Sequence, residues 1–419
     1  MLRSKRWTAR SWIVLAGALV LIASGRAVAQ EAAPPSSDPI LAKFSFAGGT
    51  LPEFLVALSD ASRSDLNIVV RGDAQSVSIP EVELRNVHVD AVIEAVVENM
   101  DIKRQVLSEI ERCVPRHALI MSNTSSLSID EMAAALRHPD RFLGLHFFNP
   151  VNLMQLVEVV PGEKTSHEAV VSACELVRSM GKIPIVVGSC AGFLVNRILL
   201  PYIIESAAMF EEGVSVERID RVLVEFGMPM GALALADEVG LDVGYKVAKV
   251  LEHAYGPRMR VPDGFGRIVQ DGTTIGKKSG RGFYIYDAGN KRPNDEARAL
   301  ASNGHTAGSN GKAIPDADVL DRAILVMVNE AARCLDEGVA DDADALDLAM
   351  VMGTGFAPFR GGVMRYAQER GLREVVERLG ELASKYGERF EPAPLLVQLA
   401  EGGPGFDGSV ANGKGGERS

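Results

Sequence analysis

Apolar and polar positions change rhythm several times along the chain, and each change predicts a different element. A basic start at Arg3, Lys5, Arg6 and Arg10 leads into an apolar run from Trp12 to Ala23 and then Ala27-Val28-Ala29. That order predicts a secretory signal over 1–29, short for a spanning helix, which would touch a membrane only if left uncleaved. Residues 30–39, with their prolines and serines, read as a linker. Alternation in Lys43-Phe44-Ser45-Phe46 predicts a strand and Gly48-Gly49 a turn. Thr50 then caps a helix with Leu51, Phe54, Leu55 and Leu58 on one face. Leu66 to Val70 reads as a second strand, Val77 to Ile79 with Val82 to Leu84 as a third strand region, and Asp90 opens a helical stretch. Together these predict a small βαββα unit over 40–97.

Further on, Leu156 to Val160 is an apolar run carrying one acid, Glu158, and reads as a buried strand. Before it, His146 sits in Leu-His-Phe-Phe-Asn-Pro, where Asn149-Pro150 forces a turn because proline fixes φ and keeps its predecessor extended. Two apolar segments joined through that turn can lie side by side and bring His146 and Glu158 together. A buried acid beside an imidazole fixes its tautomer, as a general base requires. The plainer alternative is a satisfied core histidine with the carboxylate paired elsewhere. Val170, Val171, Cys174 and Val177 mark an amphipathic helix, and Lys182 to Val187 a short strand. From Gly192 the pattern is helical, broken by an Asn-, Ser- and Gly-rich linker over 290–315. Beyond it, Arg322 to Glu330 and Glu337-Gly338-Val339 echo Arg197 to Glu205 and Glu212-Gly213-Val214 at a constant offset, which predicts duplicated helical domains. A tail over 405–419, rich in Gly, Ser and Asn, reads as disordered.

Composition narrows the class. The 419 residues suffice for two or three domains, and 47% hydrophobic with 24% charged residues is globular. A net charge of −11 argues against a nucleic-acid partner. The 4 cysteines, Cys113, Cys174, Cys190 and Cys334, show no metal-ligand spacing, and no metal or disulfide framework is expected.

The motifs SNTSSLSI, GLHFFNPV, LVEVV and AGFLVNRILLPY resemble the 3-hydroxyacyl-CoA dehydrogenase family over about 90–403, especially the large multifunctional fatty-acid oxidation subunits. The resemblance implies a fold of α/β plus all-α class. An incomplete Rossmann-like NAD domain would cover 90–190, a helical C-terminal domain 191–289, and a second copy of that domain 316–404. It implies NAD-linked oxidation of an L-3-hydroxyacyl-CoA to the 3-ketoacyl-CoA. His146 would be the base, Glu158 would orient it, and Ser125 and Asn196 would position the substrate. Glu98, Lys103, Ser125, Asn149 and Lys278 match the family's cofactor contacts, although each taken alone reads as an ordinary helix or turn residue. Acyl-CoA would be the substrate, a dimer mate or a thiolase the protein partner, and the cytoplasm the location. Ala191 and Ala232 stand where the family usually has prolines.

Residues 40–97 instead resemble the short N-terminal domain of secretins and TonB-dependent receptors, through FSFAGGTLPEFLVALS and VSIPEVELRNVHVDAVIEAV. The two resemblances overlap at 90–97, where Asp90 to Val96 close the small unit and also look like the dehydrogenase family's VIEAV strand. Before that seam a strand, a glycine-rich turn opening a helix, and a strand ending in an acid should hold the adenosine half of NAD. No Gly-x-Gly-x-x-Gly is placed between a strand and a helix. Three readings follow: a working dehydrogenase, a fused or misjoined chain whose activity is lost, and an exported, non-catalytic envelope interaction module.

Overall fold

A computed structural model describes residues 44–46, 49–50, 78–79, 82–84, 91–287, 289–302, 314–402 and 406. The expected signal, the linker over 30–39, the helix from Leu51, the strand Leu66 to Val70 and the tail beyond Phe406 lie outside these residues. The chain divides into two compact units, 1–190 and 191–419.

In the first unit, β1 (Phe44–Phe46) pairs antiparallel with β4 (Val82–Leu84). In the same register β2 (Gly49–Thr50) pairs with β3 (Ser78–Ile79). Gly49 and Thr50 are therefore strand residues. Gly49 of the expected turn is thus paired, while Gly48 and the helix that Thr50 was expected to cap lie outside the described residues. The next element, β5 (Ala91–Glu94), is the strand that the dehydrogenase resemblance implied, and not the helical stretch that the small unit's pattern predicted from Asp90. All four of its residues are buried, and Val92 and Ile93 suit a strand covered on both faces.

The main sheet has the order β5-β6-β7-β8-β9, with β6 at Leu119–Ser122, β7 at Phe142–Phe147, β8 at Leu156–Pro161 and β9 at Ile183–Val186. Neighbours run parallel except β7 and β8, which are antiparallel. On one face Ile93, Met121, Leu145 and Val159 pack with Ala173, Leu176 and Val177 of α3 (His167–Ser179). Helix α1 (Met100–Cys113) contacts β5 and β6, and α2 (Ile129–Ala133) contacts β7. Side chains start each helix: Asn99, Ser128 and Ser166 accept the backbone N–H groups of Ile102, Glu131 and Ala169. Gly144 is needed where α2 approaches β7, since a Cβ there would stand 2.7 Å from Ile129 Cδ1.

The second unit is mostly helical. Its first half holds α4 (Val195–Glu211), α5 (Val216–Phe226), α6 (Ala232–Val239), α7 (Leu241–Tyr255) and α8 (Asp263–Gln270). A hairpin follows, β10 (Tyr284–Asp287) with β11 (Asn290–Pro293), and then α9 (Asp295–Ala301). The expected linker over 290–315 is thus structured in its first half. Asn294 caps α9 at the Glu296 N–H and donates to the Gly282 carbonyl, while Ala297 and Ala301, one turn apart, are buried. A polar composition concealed that small apolar face. The second half holds α10 (Asp316–Asp336), α11 (Ala343–Thr354), α12 (Val363–Arg370), α13 (Leu372–Tyr386) and α14 (Pro394–Ala400). Among the described residues no helix is long and apolar enough to cross a membrane.

Helices α4 and α10 pack together and exchange buried ion pairs. Arg197 of α4 reaches Glu330 and Glu337, each at 2.7 Å, and Arg322 of α10 reaches Glu205 and Glu212, each at 2.5 Å. Both guanidinium side chains are fully buried.

Helix starts elsewhere in this unit use distant carboxylates. Asp220 accepts the N–H groups of Leu233 and Ala234 at the start of α6, and Asp347 those of Met364 and Arg365 at the start of α12. Burial pushes Asp347 up to about 6 against its backbone hydrogen bonds. Burial likewise pushes Asp237 up to about 6 although Tyr284, Phe283 and Tyr286 donate to it. Burial would raise Asp318 too, but hydrogen bonds from Lys385, Arg378 and Tyr386 overcome it and hold the group at about 2. For Asp237 and Asp347 the folded state binds the proton more tightly than the unfolded state. Their contribution therefore improves as pH falls from about 6 towards 4 and weakens as pH rises. Asp318 has the opposite sign, and its stabilisation is lost only as pH falls from about 4 to 2. Calorimetry from pH 4 to 8 should therefore find the highest thermal midpoint at the acid end, near pH 4, a few degrees above that at pH 7.5. A midpoint that rises steadily to pH 8 would refute the assignment.

Candidate active site

Each strand contributes one polar residue to an otherwise apolar run. Antiparallel pairing of β7 and β8 places His146 opposite Glu158. Their side chains meet at 2.6 Å, imidazole Nδ1 to carboxylate Oε2. Both are buried, with Glu158 at 0% and His146 at 4% exposure, so bulk water does not screen the pair. The Phe148 ring lies 4.6 Å from the imidazole. A carboxylate on Nδ1 keeps the proton there and leaves the basic lone pair on Nε2. The turn after β7 begins at the exposed Asn149, and its peptide bond to Pro150 is cis. Lys182, ahead of β9, donates to the Val151 and Met154 carbonyls at 2.6 and 2.7 Å and holds this turn from below.

A second cluster forms at the C-terminal ends of the parallel strands β5 and β6, the end at which open α/β sheets bind ligands. Glu98 Oε1 accepts the Thr124 hydroxyl at 2.7 Å and the N–H groups of Ser125 and Ser126 at 2.9 and 3.0 Å. Asn123 links the two clusters by accepting the Phe147 N–H at 3.0 Å, next to His146. Sequence reasoning missed Asn123 and Thr124 as positioning groups, although both stand inside the SNTSS motif.

Lys103, matched by motif to a cofactor position, stands near the start of α1. Its ammonium is fully buried and lies 2.7 Å from Glu94, an acid that only its place in an apolar strand could have betrayed. Lys278, in the second unit, lies 2.7 Å from Asp242. Asn196 occupies the first turn of α4 and is half-buried. Asp321, which precedes Arg322 on α10 as Asn196 precedes Arg197 on α4, is held by Arg370 and Arg378, which makes it an ion-pair residue.

Two comparisons with known proteins bear on these clusters. Residues 74–190 match the model of the 3-hydroxyacyl-CoA dehydrogenase NAD binding domain, and residues 192–286 that of the 3-hydroxyacyl-CoA dehydrogenase C-terminal domain. The dehydrogenase part of multifunctional enzyme 1 from C. elegans is 31% identical, with 74% of this chain and 71% of that chain covered and a TM-score of 0.53. This chain belongs to the 3-hydroxyacyl-CoA dehydrogenase family. The 3-hydroxybutyryl-CoA dehydrogenase of Escherichia coli K12 is 28% identical, with 75% of this chain and 81% of that chain covered and a TM-score of 0.65. The family match begins at residue 74, so β3 and β4, read from sequence as part of the small unit, fall within it. As a member of this family the chain is an oxidoreductase, and its cofactor is NAD.

The residues fit that cofactor unevenly. Glu98 and the Ser125 loop supply a carboxylate and hydroxyls of the kind that hold a nicotinamide ribose. Among the described residues no glycine-rich turn between a strand and a helix is present to approach a pyrophosphate. Helix α1 opens at Asn99, and the Gly353-Thr354-Gly355 tract ends α11, with Gly355 in the left-handed region. Gly403-Pro-Gly-Phe-Asp-Gly408 has the dinucleotide spacing but contains a proline and follows the last described helix.

Proposed function

We propose that the chain interconverts an L-3-hydroxyacyl-CoA and its 3-ketoacyl-CoA with NAD as redox partner. The observation that carries this reading is the buried 2.6 Å contact of His146 with Glu158 inside a domain matched as NAD-binding. Bound NAD would supply the hydride acceptor for the substrate's hydroxyl-bearing carbon. His146 takes the hydroxyl proton at Nε2 during oxidation and returns it during reduction. Glu158 holds Nδ1, fixes the ring's orientation and balances the charge that the imidazole gains. Ser125 and Asn196 carry over the family's substrate-positioning roles, and Glu98, Lys103, Ser125, Asn149 and Lys278 its cofactor-side roles. Alignment of the reacting groups accounts for much of such catalysis, so the hydrogen bonds from Phe147 to Asn123 and from the Ser125 loop to Glu98 matter for rate.

We further read α4–α5 and α10–α11 as two copies of one helical domain. The exchange of arginine–glutamate pairs supports this, since residue i of one helix meets residue j of the other and the reverse holds. The second copy, with Asp321 held in ion pairs, would act as a packing partner. For location, the pattern over 1–29 favours export, and finding the chain in the cytoplasmic fraction would overturn that.

The test is NADH binding by the purified chain, followed by acetoacetyl-CoA reduction. Binding with turnover supports the reading, and a folded chain that binds no NADH ends it.

A further inference from the structure

A cavity of about 60 Å³ opens within the second unit among α4, α6 and α7, with Phe265 of α8 behind it. Every side chain in its lining is apolar. The exposed Val239 and Val243 mark its mouth, and the buried Phe265 closes its floor. On α4 the lining includes Leu199 and, one turn further on, Ile203. Asn196 stands one turn before Leu199, and a spacing of three puts the two side by side on one face of the helix. From Val195 to Ile203 these two are the half-buried residues, and the rest of that stretch is buried.

Gly244 also lines the cavity, near the start of α7, where glycine weakens a helix relative to alanine. Crowding does not require it, since a Cβ built there meets no atom within 4 Å. The absent side chain gives the cavity its width. An apolar cavity stays dry, and at roughly 15 Å³ per water-sized group this one has room for about four methylenes.

We propose that this cavity takes the acyl tail of the substrate, so that the chain favours a medium-chain acyl-CoA, with about four carbons beyond an acetoacetyl group, over a short one. The position of the substrate's head rests on the functional reading above, through Asn196, but the preference for an alkyl chain is read from the lining alone. A tail that leaves Asn196 along α4 meets Leu199 first and Ile203 next, and the space beside Gly244 receives it. Apolar walls gain from each methylene taken out of water, whereas a short acyl group leaves the cavity empty.

The experiment titrates the full chain with butyryl-CoA and octanoyl-CoA by calorimetry, without NADH. Octanoyl-CoA should bind at least roughly 10-fold more tightly, with a ceiling of about 200-fold set by roughly 4-fold per buried methylene. Gly244→Leu fills the cavity without removing a contact, and should cut the difference to below about 3-fold. Its thermal midpoint should hold or rise, because leucine favours the helix. Val243→Asn, at the exposed mouth, should reduce the difference by about 3-fold. In turnover, the ratio of kcat/KM for 3-ketooctanoyl-CoA to that for acetoacetyl-CoA should fall by at least about 10-fold in Gly244→Leu. Equal binding of the two acyl-CoAs by the parent chain, or binding of neither, overturns the proposal. So does a difference that survives Gly244→Leu in a folded chain, or, if that variant does not fold, one left undiminished by Val243→Asn. A parent chain that prefers octanoyl-CoA yet reduces neither ketoacyl-CoA keeps the cavity's assignment and ends the functional reading.

Discussion

Replacing His146 with alanine is expected to lower kcat for acetoacetyl-CoA reduction by roughly 10²–10⁴-fold, the usual worth of a positioned general acid or base. KM for the acyl-CoA should change little, because the imidazole acts on a proton in flight and contributes mainly to the transition state. The size of the effect follows from burial. With His146 at 4% exposure, water has poor access to take over the proton. Glu158→Gln should follow in the same direction, by at least about 10²-fold, since an amide can stabilise the wrong tautomer and cannot balance the imidazolium charge. Steady-state kinetics at saturating NADH separates these outcomes. If the alanine variant keeps its turnover, the β7–β8 pair is structural and the proposed chemistry is wrong.

Arg197→Met should destabilise the chain by about 3–5 kcal/mol, because it strands Glu330 with only 5% side-chain exposure. For a helical unit of this size that is roughly a 10 °C fall in thermal midpoint. Arg258 also reaches Glu330, at 3.2 Å, but it is partly exposed and already stacks on Tyr255, so it offsets only a fraction. Adding Glu330→Leu to Arg197→Met should recover much of the loss, since an apolar pair of similar volume avoids the uncompensated charge. Arg322→Met should cost about as much, given the mirrored contacts with Glu205 and Glu212. Chemical denaturation of the single variants and the pair supplies the cycle. Near-neutral single variants would show that α4 and α10 are held by their apolar contacts alone, and would remove the main support for reading them as paired copies.

The sequence by itself determined a good deal of this protein. Apolar runs with a single polar residue located both His146 and Glu158, and a proline turn between them was enough to suggest that they face each other. The echo of Arg197, Glu205 and Glu212 in Arg322, Glu330 and Glu337 was visible as text, because a constant offset needs no fold to be seen. Local periodicity read α3 and β9 for the same reason, since each buries one face.

Tertiary structure decided what depends on partners distant in sequence. Between the two readings of Asp90 to Val96, helical stretch or strand, the choice rested on β6, which pairs with Ala91–Glu94 and lies beyond α1. Pairing with Ser78–Ile79 likewise made Gly49 and Thr50 strand residues. The contact of the Lys103 ammonium with Glu94, nine residues earlier and on another element, likewise shows only in the fold. An ion pair of that kind is set by how a helix lies on a sheet, and no residue pattern within either segment carries that information.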